Sequence, residues 1–436
     1  MRIVILNGAA ADDTLGGRIE RALLARLARQ DHSVRTFTLR DNKIGNCAGD
    51  FFCWVRSPGQ CMVADDNREI AAAVANADLL IYLTPITFGG YSSTLKKAVD
   101  HQIQNISPFF VTLNGETHHA RRYSRYADLL VIGWQPEGNP AAAAIFRHLV
   151  WRNTLNLYAR TWHCEIVSGD PTEAALASRI AFALDVIARH ESDPRPALPA
   201  TPLHPEQDRA APRSALLLVG SPRTRNSTSH ALGDYLMQQL GARGVQTETV
   251  YLYTMLNNPH KMQQLVAQVE RADLTVLAFP LYIDTLPAPV ILLLERLAAH
   301  RAARPAPGAG FAALANCGFP EAQHNANALA VCAEFARSAG FAWRGGLALG
   351  GGEGVVHRTP LTELDGRARP LKRALALAAE ALARGQPIPP AAQDLLSEPL
   401  IPIWAYRLVG SFGWRQAARR WGAQKDLKRR PYQAEV

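Results

Sequence analysis

Short apolar runs alternate with amphipathic stretches along the whole chain, and the pattern is clearest in its second half. The apolar runs predict strands at 214–219, 245–252, 273–279, 310–316 and near 343–349. The stretches between and after them predict helices near 228–242 and at 259–271, 287–300, 321–339 and 360–384. Strands this apolar are covered on both faces, which is typical of a parallel sheet with right-handed helical crossovers. The predicted fold class is therefore α/β, with a doubly wound parallel sheet of strand order 2-1-3-4-5.

The first half of the chain repeats this pattern. Residues 77–85 (ADLLIYLTP) match residues 272–280 (ADLTVLAFP) at a constant offset of 195 positions. Each segment predicts a buried strand that ends in a proline loop and is followed by a helix, at 93–104 in the first half. A strand and a glycine turn open each half, at 3–8 and 215–220. The sequence therefore predicts two tandem five-stranded sheets.

A proline-rich segment separates the two halves. Residues 191–213 hold six prolines and show no apolar periodicity, which is typical of an extended linker. We therefore expect domains at 1–190 and 214–392, followed by a basic, aromatic tail at 393–436. The first half is longer between its first strand and its third, and we place the extra residues in the segment 44–66, which contains three of the six cysteines.

The composition excludes several classes of protein. Hydrophobic residues make up 48% and charged residues 19% of the 436 positions, so the chain is neither disordered nor fibrous. The N-terminal apolar run, Ile3–Leu6, is shorter than the ~7–15 residues of a secretory signal, and no window approaches the ~20 residues of a membrane span. We expect a cytoplasmic protein. The tail, with eight basic and four acidic residues, supplies much of the net charge of +9, so we expect no nucleic-acid partner.

A loop rich in hydroxyl and arginine side chains, Gly220–Thr228 (GSPRTRNST), follows the first strand of the second half and leads into a helix. Ligands of doubly wound sheets bind at the carboxyl ends of the strands, and a helix N-terminus beside hydroxyl groups favours a phosphate. A simple helix cap would use only one or two such residues. The candidate phosphate-binding residues are Ser221, Arg223, Asn226, Ser227 and Thr228. The equivalent loop of the first half carries Asp12 and Asp13, which would repel a phosphate, so binding there stays open.

The loops after the third strand of each half are apolar and aromatic. They begin at Pro280 in the second half (PLYID) and at Pro85 in the first (PITFGGY). Such a loop suits a flat heteroaromatic ring, since its backbone groups stay available to the ring edge. Beside a phosphate loop it predicts a ligand that combines a ring with a phosphate, for which FMN is the obvious candidate.

With these loops, the sequence resembles a tandem pair of flavodoxin-like NADPH-dependent FMN reductases over nearly its whole length. In the second half the resemblance also rests on residues 316–325 (NCGFPEAQHN) and 340–354 (GFAWRGGLALGGGEG). In the first half it rests on residues 84–101 (TPITFGGYSSTLKKAVDH) and on the cysteine segment. The resemblance implies two tandem flavodoxin-like domains. It also implies an oxidoreductase that passes hydride from NADPH or NADH through FMN to a small-molecule electron acceptor.

The same resemblance implies roles for individual residues. The phosphate-loop residues would hold the FMN phosphate. The isoalloxazine ring would be lined in the second half by Pro280, Leu281, Tyr282, Ile283, Cys317 and Gly318, and the matching residues of the first half are Pro85, Thr87, Phe88 and Gly89. Such reductases dimerise across the flavin face. The two halves would therefore form an intramolecular pseudo-dimer, or the chain a homodimer.

Three cysteines of the first half, Cys47, Cys53 and Cys61, resemble the cysteine run that holds a 4Fe–4S cluster in iron–sulfur flavoproteins. A cluster normally needs four thiolates, and Asp50 stands where another cysteine would be expected. Three interpretations stay open: a degenerate segment packed beside the flavin, a cluster, or a zinc site with an outside ligand. We expect no metal. The alternative functions are an iron–sulfur/flavin electron carrier for a protein partner and a partly non-catalytic scaffold.

The sequence leaves the roles of three other features open. A cluster after residue 117 predicts either a solvated helix face or a grip on a substrate or NADPH phosphate; it contains His118, His119, Arg121, Arg122 and Arg125. His324 is a candidate proton donor or helix cap. The aromatic residues of the tail alternate with arginines, and we expect the aromatic rings to point inward and the arginines outward. Contact with an anionic membrane surface is the alternative.

Overall fold

The structure is a computed structural model that describes residues 1–29, 31–199, 210–304 and 308–433. It divides into two compact units. The first unit comprises Met1–Pro199 with Val409–Val436, and the second comprises Ala200–Leu408. The predicted linker falls partly on residues 200–209, which lie outside the described residues.

The first unit contains a parallel five-stranded sheet and a separate hairpin. Its strands are β1 (Arg2–Asn7), β2 (Ser33–Thr38), β3 (Leu79–Pro85), β4 (Ile106–Leu113), β5 (Glu116–Arg121), β6 (Asp128–Gln135) and β7 (Trp162–Ser168). Its helices are α1 (Thr14–Leu27), α2 (Phe52–Val55), α3 (Asn67–Ala75), α4 (Ser93–Asp100), α5 (Pro140–Leu157) and α6 (Glu173–Ala188). The large sheet has the order β2-β1-β3-β6-β7, and all its neighbouring strands are parallel. Apolar side chains of α1 and α6 cover one of its faces.

The second unit contains a parallel five-stranded sheet of order β12-β11-β10-β8-β9. Its strands are β8 (Ser214–Val219), β9 (Gln246–Tyr251), β10 (Leu274–Pro280), β11 (Gly310–Asn316) and β12 (Ala342–Leu349). Its helices are α7 (Thr228–Gly241), α8 (Pro259–Arg271), α9 (Ala288–Ala303), α10 (Ala326–Ser338), α11 (Gly352–Val356), α12 (Arg369–Ala383) and α13 (Pro390–Asp394). A last helix, α14 (Ile403–Arg419), carries the chain from the second unit back to the first.

Both sheets confirm the predicted α/β fold class of two tandem flavodoxin-like sheets. Numbered within each unit, the strands follow the order 2-1-3-4-5 in both cases. The predicted helix at 360–384 is too long, because α12 begins only at Arg369. Gly366 has a φ of +60°, which interrupts a helix before that point, and a proline occupies the first turn of α12, where it is favoured. In both sheets the reversal of strand order lies between the first and third strands, which is where ligands of this fold bind.

The antiparallel hairpin β4–β5 was not predicted, and the expected helix face at His118–Arg125 is wrong. His118 and His119 lie in strand β5, and His118 is fully buried. Its Nδ1 lies 3.1 Å from Asn156 Oδ1. The ring of His119 lies 4.5 Å from that of Trp54. These histidines therefore support the hairpin, whereas Arg121 stands exposed at its end.

The tail differs from the expected arrangement of inward aromatic rings. Trp414 does pack inward, in an apolar cluster with Trp54 and residues of the hairpin. Trp404 and Phe412, by contrast, are 70% and 65% exposed. The expectation fails at these two side chains because the alternation of aromatic residues and arginines does not show which rings find a packing partner. Among the described residues, no helix combines the length and apolarity needed to cross a membrane.

Candidate functional site

The loop between β8 and α7 contains three buried hydroxyl groups, and those of Ser227 and Thr228 belong to the first residues of α7 and its cap. Ser221, Ser227 and Thr228 are at most 5% exposed. Ser227 caps α7, and its Oγ accepts a hydrogen bond from the His230 amide at 3.1 Å. The first amide groups of an α-helix have no carbonyl partner within that helix, so they stay available as donors. Because Ser227 carries no charge, the cap does not neutralise the positive end of the helix dipole.

Thr228 provides an observation that favours an anionic ligand here. Its Oγ1 is buried and makes no hydrogen bond within the described part of the chain. A buried hydroxyl group without a partner is unfavourable, and most such groups in proteins are satisfied. A phosphate oxygen could accept this hydrogen bond. The loop therefore fits the phosphate that the sequence predicts.

Arg223 and Asn226 are placed differently from the three hydroxyl groups. Arg223 Nη1 donates a hydrogen bond to Glu353 Oε1 at 3.2 Å, which connects the loop to α11. Asn226 is exposed, and its amide donates to the Arg223 carbonyl at 3.0 Å. The structure thus connects Arg223 to the segment after β12 and leaves Asn226 at the surface of the loop.

The loop after β10 is a strained turn. Tyr282 and Thr285 exchange two backbone hydrogen bonds, of 2.9 and 3.2 Å. Between them, Ile283 and Asp284 have φ values of +41° and +63°. A β-branched residue rarely adopts a positive φ, and strain of this kind is concentrated at functional sites. The predicted ring-binding residues of this turn are all partly exposed, so they offer apolar surface to a ring; they are Pro280, Leu281, Tyr282 and Ile283.

The loop after β11 contains Cys317 and Gly318. The Cys317 carbonyl accepts a hydrogen bond from the Gly352 amide at 3.0 Å. Its thiol is buried, with Asn325 Nδ2 3.4 Å from Sγ, and burial raises the pKa of this thiol to about 12. The thiol therefore stays protonated at neutral pH and is a poor nucleophile. Gly318 is exposed, so it is the residue of this pair that is free to face a ring.

His324 follows the same loop and is 2% exposed. Its Nε2 lies 3.5 Å from Glu321 Oε2, and its ring lies 4.9 Å from that of Phe319. Helix α10 has no side-chain cap. The predicted capping role of His324 is therefore wrong, and its role as a proton donor stays a prediction.

The first unit retains the turn after its third strand. Thr87 exchanges backbone hydrogen bonds of 2.9 and 2.7 Å with the residue three positions later. Phe88 and Gly89 have φ values of +52° and +82°. A Cβ atom on Gly89 would lie 2.6 Å from Ile145 Cβ, so this glycine packs against α5. Pro85 ends β3 just before the turn, which therefore has the same backbone geometry in both units.

A carboxylate and an indole fill the corresponding helix N-terminus of the first unit. Asp13 caps α1 through Oδ1, and its Oδ2 accepts a hydrogen bond from Trp134 Nε1 at 2.9 Å. Trp134 is 2% exposed and pairs in register with Pro85, as Asn316 pairs with Pro280. The Asp13 charge neutralises the helix dipole and would repel a phosphate. The first unit therefore does not fit the FMN phosphate.

The three cysteines of the segment before α3 are near one another and near Asp50. Burial raises the pKa of Cys47 to about 12, with smaller contributions from nearby negative charges that include Asp50. The pKa values of Cys53 and Cys61 are also raised, first by burial and then by charges that again include Asp50. The segment also contributes to the apolar cluster that contains Trp54. Its predicted packing beside a flavin stays a prediction.

We predict that the purified chain holds no iron–sulfur cluster. The three thiols supply three of the four thiolates that a cluster normally needs, and the fourth group, Asp50, is a carboxylate. Asp50 Oδ1 already accepts a hydrogen bond from the Phe52 amide at 3.0 Å. Anaerobic purification followed by iron and acid-labile sulfide analysis should give neither above the blank. Stoichiometric iron and sulfide that are lost in Cys53→Ser but kept in Cys332→Ser would contradict this prediction.

Comparison with known proteins identifies one matching family. The sequence model of the NADPH-dependent FMN reductases matches residues 1–115 and 214–333, more than half of the chain. An iron-sulfur flavoprotein from Methanocaldococcus jannaschii is 27% identical over 100 residues, which are 23% of this chain and 51% of that protein. The chain thus aligns with about half the length of this relative.

Two of the similar solved structures each cover 43% of this chain. An NAD(P)H:quinone oxidoreductase from Methanothermobacter marburgensis is 13% identical, with a TM-score of 0.35 over 43% of this chain and 96% of that one. An FMN-dependent NADH-azoreductase from Bacillus anthracis, in complex with FMN, is 12% identical, with a TM-score of 0.33 over 43% of this chain and 98% of that one.

Proposed function

Because the chain belongs to the NADPH-dependent FMN reductase family, we propose that it is an NAD(P)H oxidoreductase that binds one FMN, in its second unit. The family membership confirms the resemblance found in the sequence and agrees with the prediction of FMN as cofactor and NADPH as electron donor. One observation supports the assignment to the second unit. Helix α7 is capped by the uncharged Ser227, whereas α1 is capped by Asp13 in contact with Trp134.

The residues of the second unit divide into two groups in this proposal. Ser221 and Thr228 would hold the FMN phosphate through their hydroxyl groups, and Ser227 would do so through its backbone amide, because its Oγ donates to the Thr224 carbonyl at 2.6 Å. Arg223, paired with Glu353, would lie beside them. The turn Pro280–Ile283 and the exposed Gly318 frame the ring. When bound there, FMN would supply the hydride and electron-transfer chemistry, and these residues would bind and orient the reactants.

The electron acceptor in this proposal is a small molecule such as a quinone, a nitroaromatic compound or a free flavin. Because the oxidised nicotinamide would leave before the acceptor binds, we expect ping-pong kinetics. An iron–sulfur/flavin electron carrier is the alternative, and the three-cysteine segment is the observation that favours it. The iron and sulfide analysis described above separates the two functions.

Anaerobic reduction by a nicotinamide tests the proposed activity. The chain loaded with FMN should lose its visible flavin absorbance when NADPH or NADH is added. Addition of a quinone should restore that absorbance and release one quinol per nicotinamide oxidised. A chain that binds FMN but is reduced by neither nicotinamide would contradict an oxidoreductase function, because dithionite reduction of the same sample shows that the flavin is redox-active.

We also propose that the chain forms an intramolecular pseudo-dimer or a homodimer. Light scattering on the FMN-loaded chain distinguishes a monomeric from a dimeric mass.

A further inference from the structure

A strongly basic cavity lies in the first unit, and none of the residues that line it is assigned to FMN above. Its volume is about 500 Å³. It is lined by Ser107, Phe109, Phe110, Ala120, Arg121, Arg122, Ser411, Arg415, Lys428 and Arg430. Five of these residues are cations, and none is acidic. The residues come from the hairpin β4–β5, from α14 and from the end of the chain, so the cavity exists only where the tail is packed on the hairpin.

Arg122 is the most unusual residue of this cavity. Arg122 is only 3% exposed, yet no carboxylate of the described residues forms an ion pair with its guanidinium group. Its Nη1 donates to the carbonyls of Leu427 and Arg429 at 3.2 and 2.7 Å, and its Nε donates to the Ile106 carbonyl at 3.2 Å. Its Nη2 is buried and has no hydrogen-bond partner among the described residues. A buried charge without a counter-ion is unfavourable, and an anion would remove that penalty.

The other four cations also have no acidic partner among the residues that the structure describes. Arg121 lies over the ring of Tyr158, at 4.6 Å from its centroid, and Arg415 lies over the ring of Phe109 at 5.0 Å. Arg430 Nε donates to the Arg122 carbonyl at 2.7 Å. These contacts position the guanidinium groups but leave their charge uncompensated. Surface arginines elsewhere in this unit do pair with acids, as Arg125 does with Asp78 at 2.9 Å.

We propose that this cavity is a binding site for an organic phosphate of about nucleotide size. Guanidinium groups present paired N–H donors that match phosphate oxygens, and several of them together favour a di-anion over a simple carboxylate. The volume exceeds that of a bare phosphate, and Phe109 and Phe110 provide apolar surface for the rest of the ligand. None of its lining residues belongs to the phosphate loop, and the proposal does not depend on the proposed redox activity.

Calorimetric titration of the FMN-loaded full chain tests the site, with ADP and inorganic pyrophosphate as probes. The informative variants are Arg415→Gln and Lys428→Gln, because both residues are exposed and their substitution does not disturb the core. Arg419→Gln is the matched control, since Arg419 is an exposed arginine of the same helix that does not line the cavity. Vesicles with and without phosphatidate form a second arm, which distinguishes a lipid headgroup from a free phosphate compound.

The proposal expects ADP to bind and each informative variant to weaken that binding about tenfold, with Arg419→Gln unchanged. The visible flavin spectrum should stay constant during the titration, because FMN keeps its own site. Binding only to phosphatidate vesicles, with the same dependence on Arg415 and Lys428, would also support the site and would assign its phosphate to a lipid. No binding in either arm, or equal binding by all three variants, would overturn the proposal.

Discussion

Replacing Ser227 with aspartate should abolish FMN binding without unfolding the protein. The change gives α7 the same cap that α1 has in Asp13, and both residues accept a hydrogen bond from the amide three positions later. Serine and aspartate are about equally good N-caps, so the helix should persist. A carboxylate about 4 Å from the FMN phosphate adds a repulsion of about 4 kcal/mol at an effective dielectric constant of ~20, so the affinity should fall at least about a hundredfold.

The matched control for this experiment is Ser227→Asn. Asparagine caps helices as well as aspartate does and has almost the same shape, but it carries no charge. Fluorescence titration should show FMN affinity close to that of the unmodified chain for Ser227→Asn, and none measurable for Ser227→Asp. Equal FMN affinities in the two variants would show that this helix N-terminus does not hold the phosphate.

Replacing Gly350 with alanine should destabilise the second unit. A Cβ atom at this position would lie 2.1 Å from the Pro320 carbonyl oxygen and 2.8 Å from the Ala322 amide nitrogen, and both are backbone atoms that cannot rotate away. Overpacking against backbone destabilises by about 3 kcal/mol, which lowers the melting temperature of a unit of this size by roughly 6–12 °C. The adjacent loop carries Cys317 and Gly318, so the FMN content should fall as well.

The control for this substitution is Gly241→Ala, at the end of α7. No atom lies within 4 Å of a Cβ built on this exposed glycine, so alanine fits there without strain and the melting temperature should stay the same or rise slightly. Differential scanning calorimetry of both variants makes the comparison. A Gly350→Ala chain that melts at the same temperature as the unmodified chain would show that the loop after β11 and the loop after β12 are not held in close contact.

The sequence predicts the two sheets well because each strand is a continuous apolar run. The predicted strands at 214–219 and 310–316 agree residue for residue with β8 and β11. Strand β5 of the hairpin lacks that signal, because His118 and His119 are adjacent polar residues. The burial of His118 depends on partners that are distant in the chain, such as Asn156. The sequence therefore predicts a solvated helix face or a phosphate grip for this segment and not a strand.

The candidate site, like the fold, could be predicted from the sequence only in part. The acidic residues of the first-half loop could be identified from the sequence, and they correctly suggest that this loop differs from Gly220–Thr228. Trp134 could not be identified, because its hydrogen bond to Asp13 joins residues 121 positions apart and depends on the register of β6 with β3. The alignment of Trp134 with Asn316 becomes visible only when the two sheets are compared strand by strand. The positive φ of Ile283 likewise has no signature in the local sequence.

The number of FMN molecules per chain tests the central claim most directly. The chain is saturated with FMN, freed of excess cofactor and analysed for flavin by absorbance and for protein by amino-acid analysis. The contrast between the Ser227 cap of α7 and the Asp13–Trp134 pair at α1 predicts one FMN per chain, and none in Ser227→Asp. Two FMN molecules per chain, or one that remains in Ser227→Asp, would contradict the assignment of the cofactor to the second unit alone.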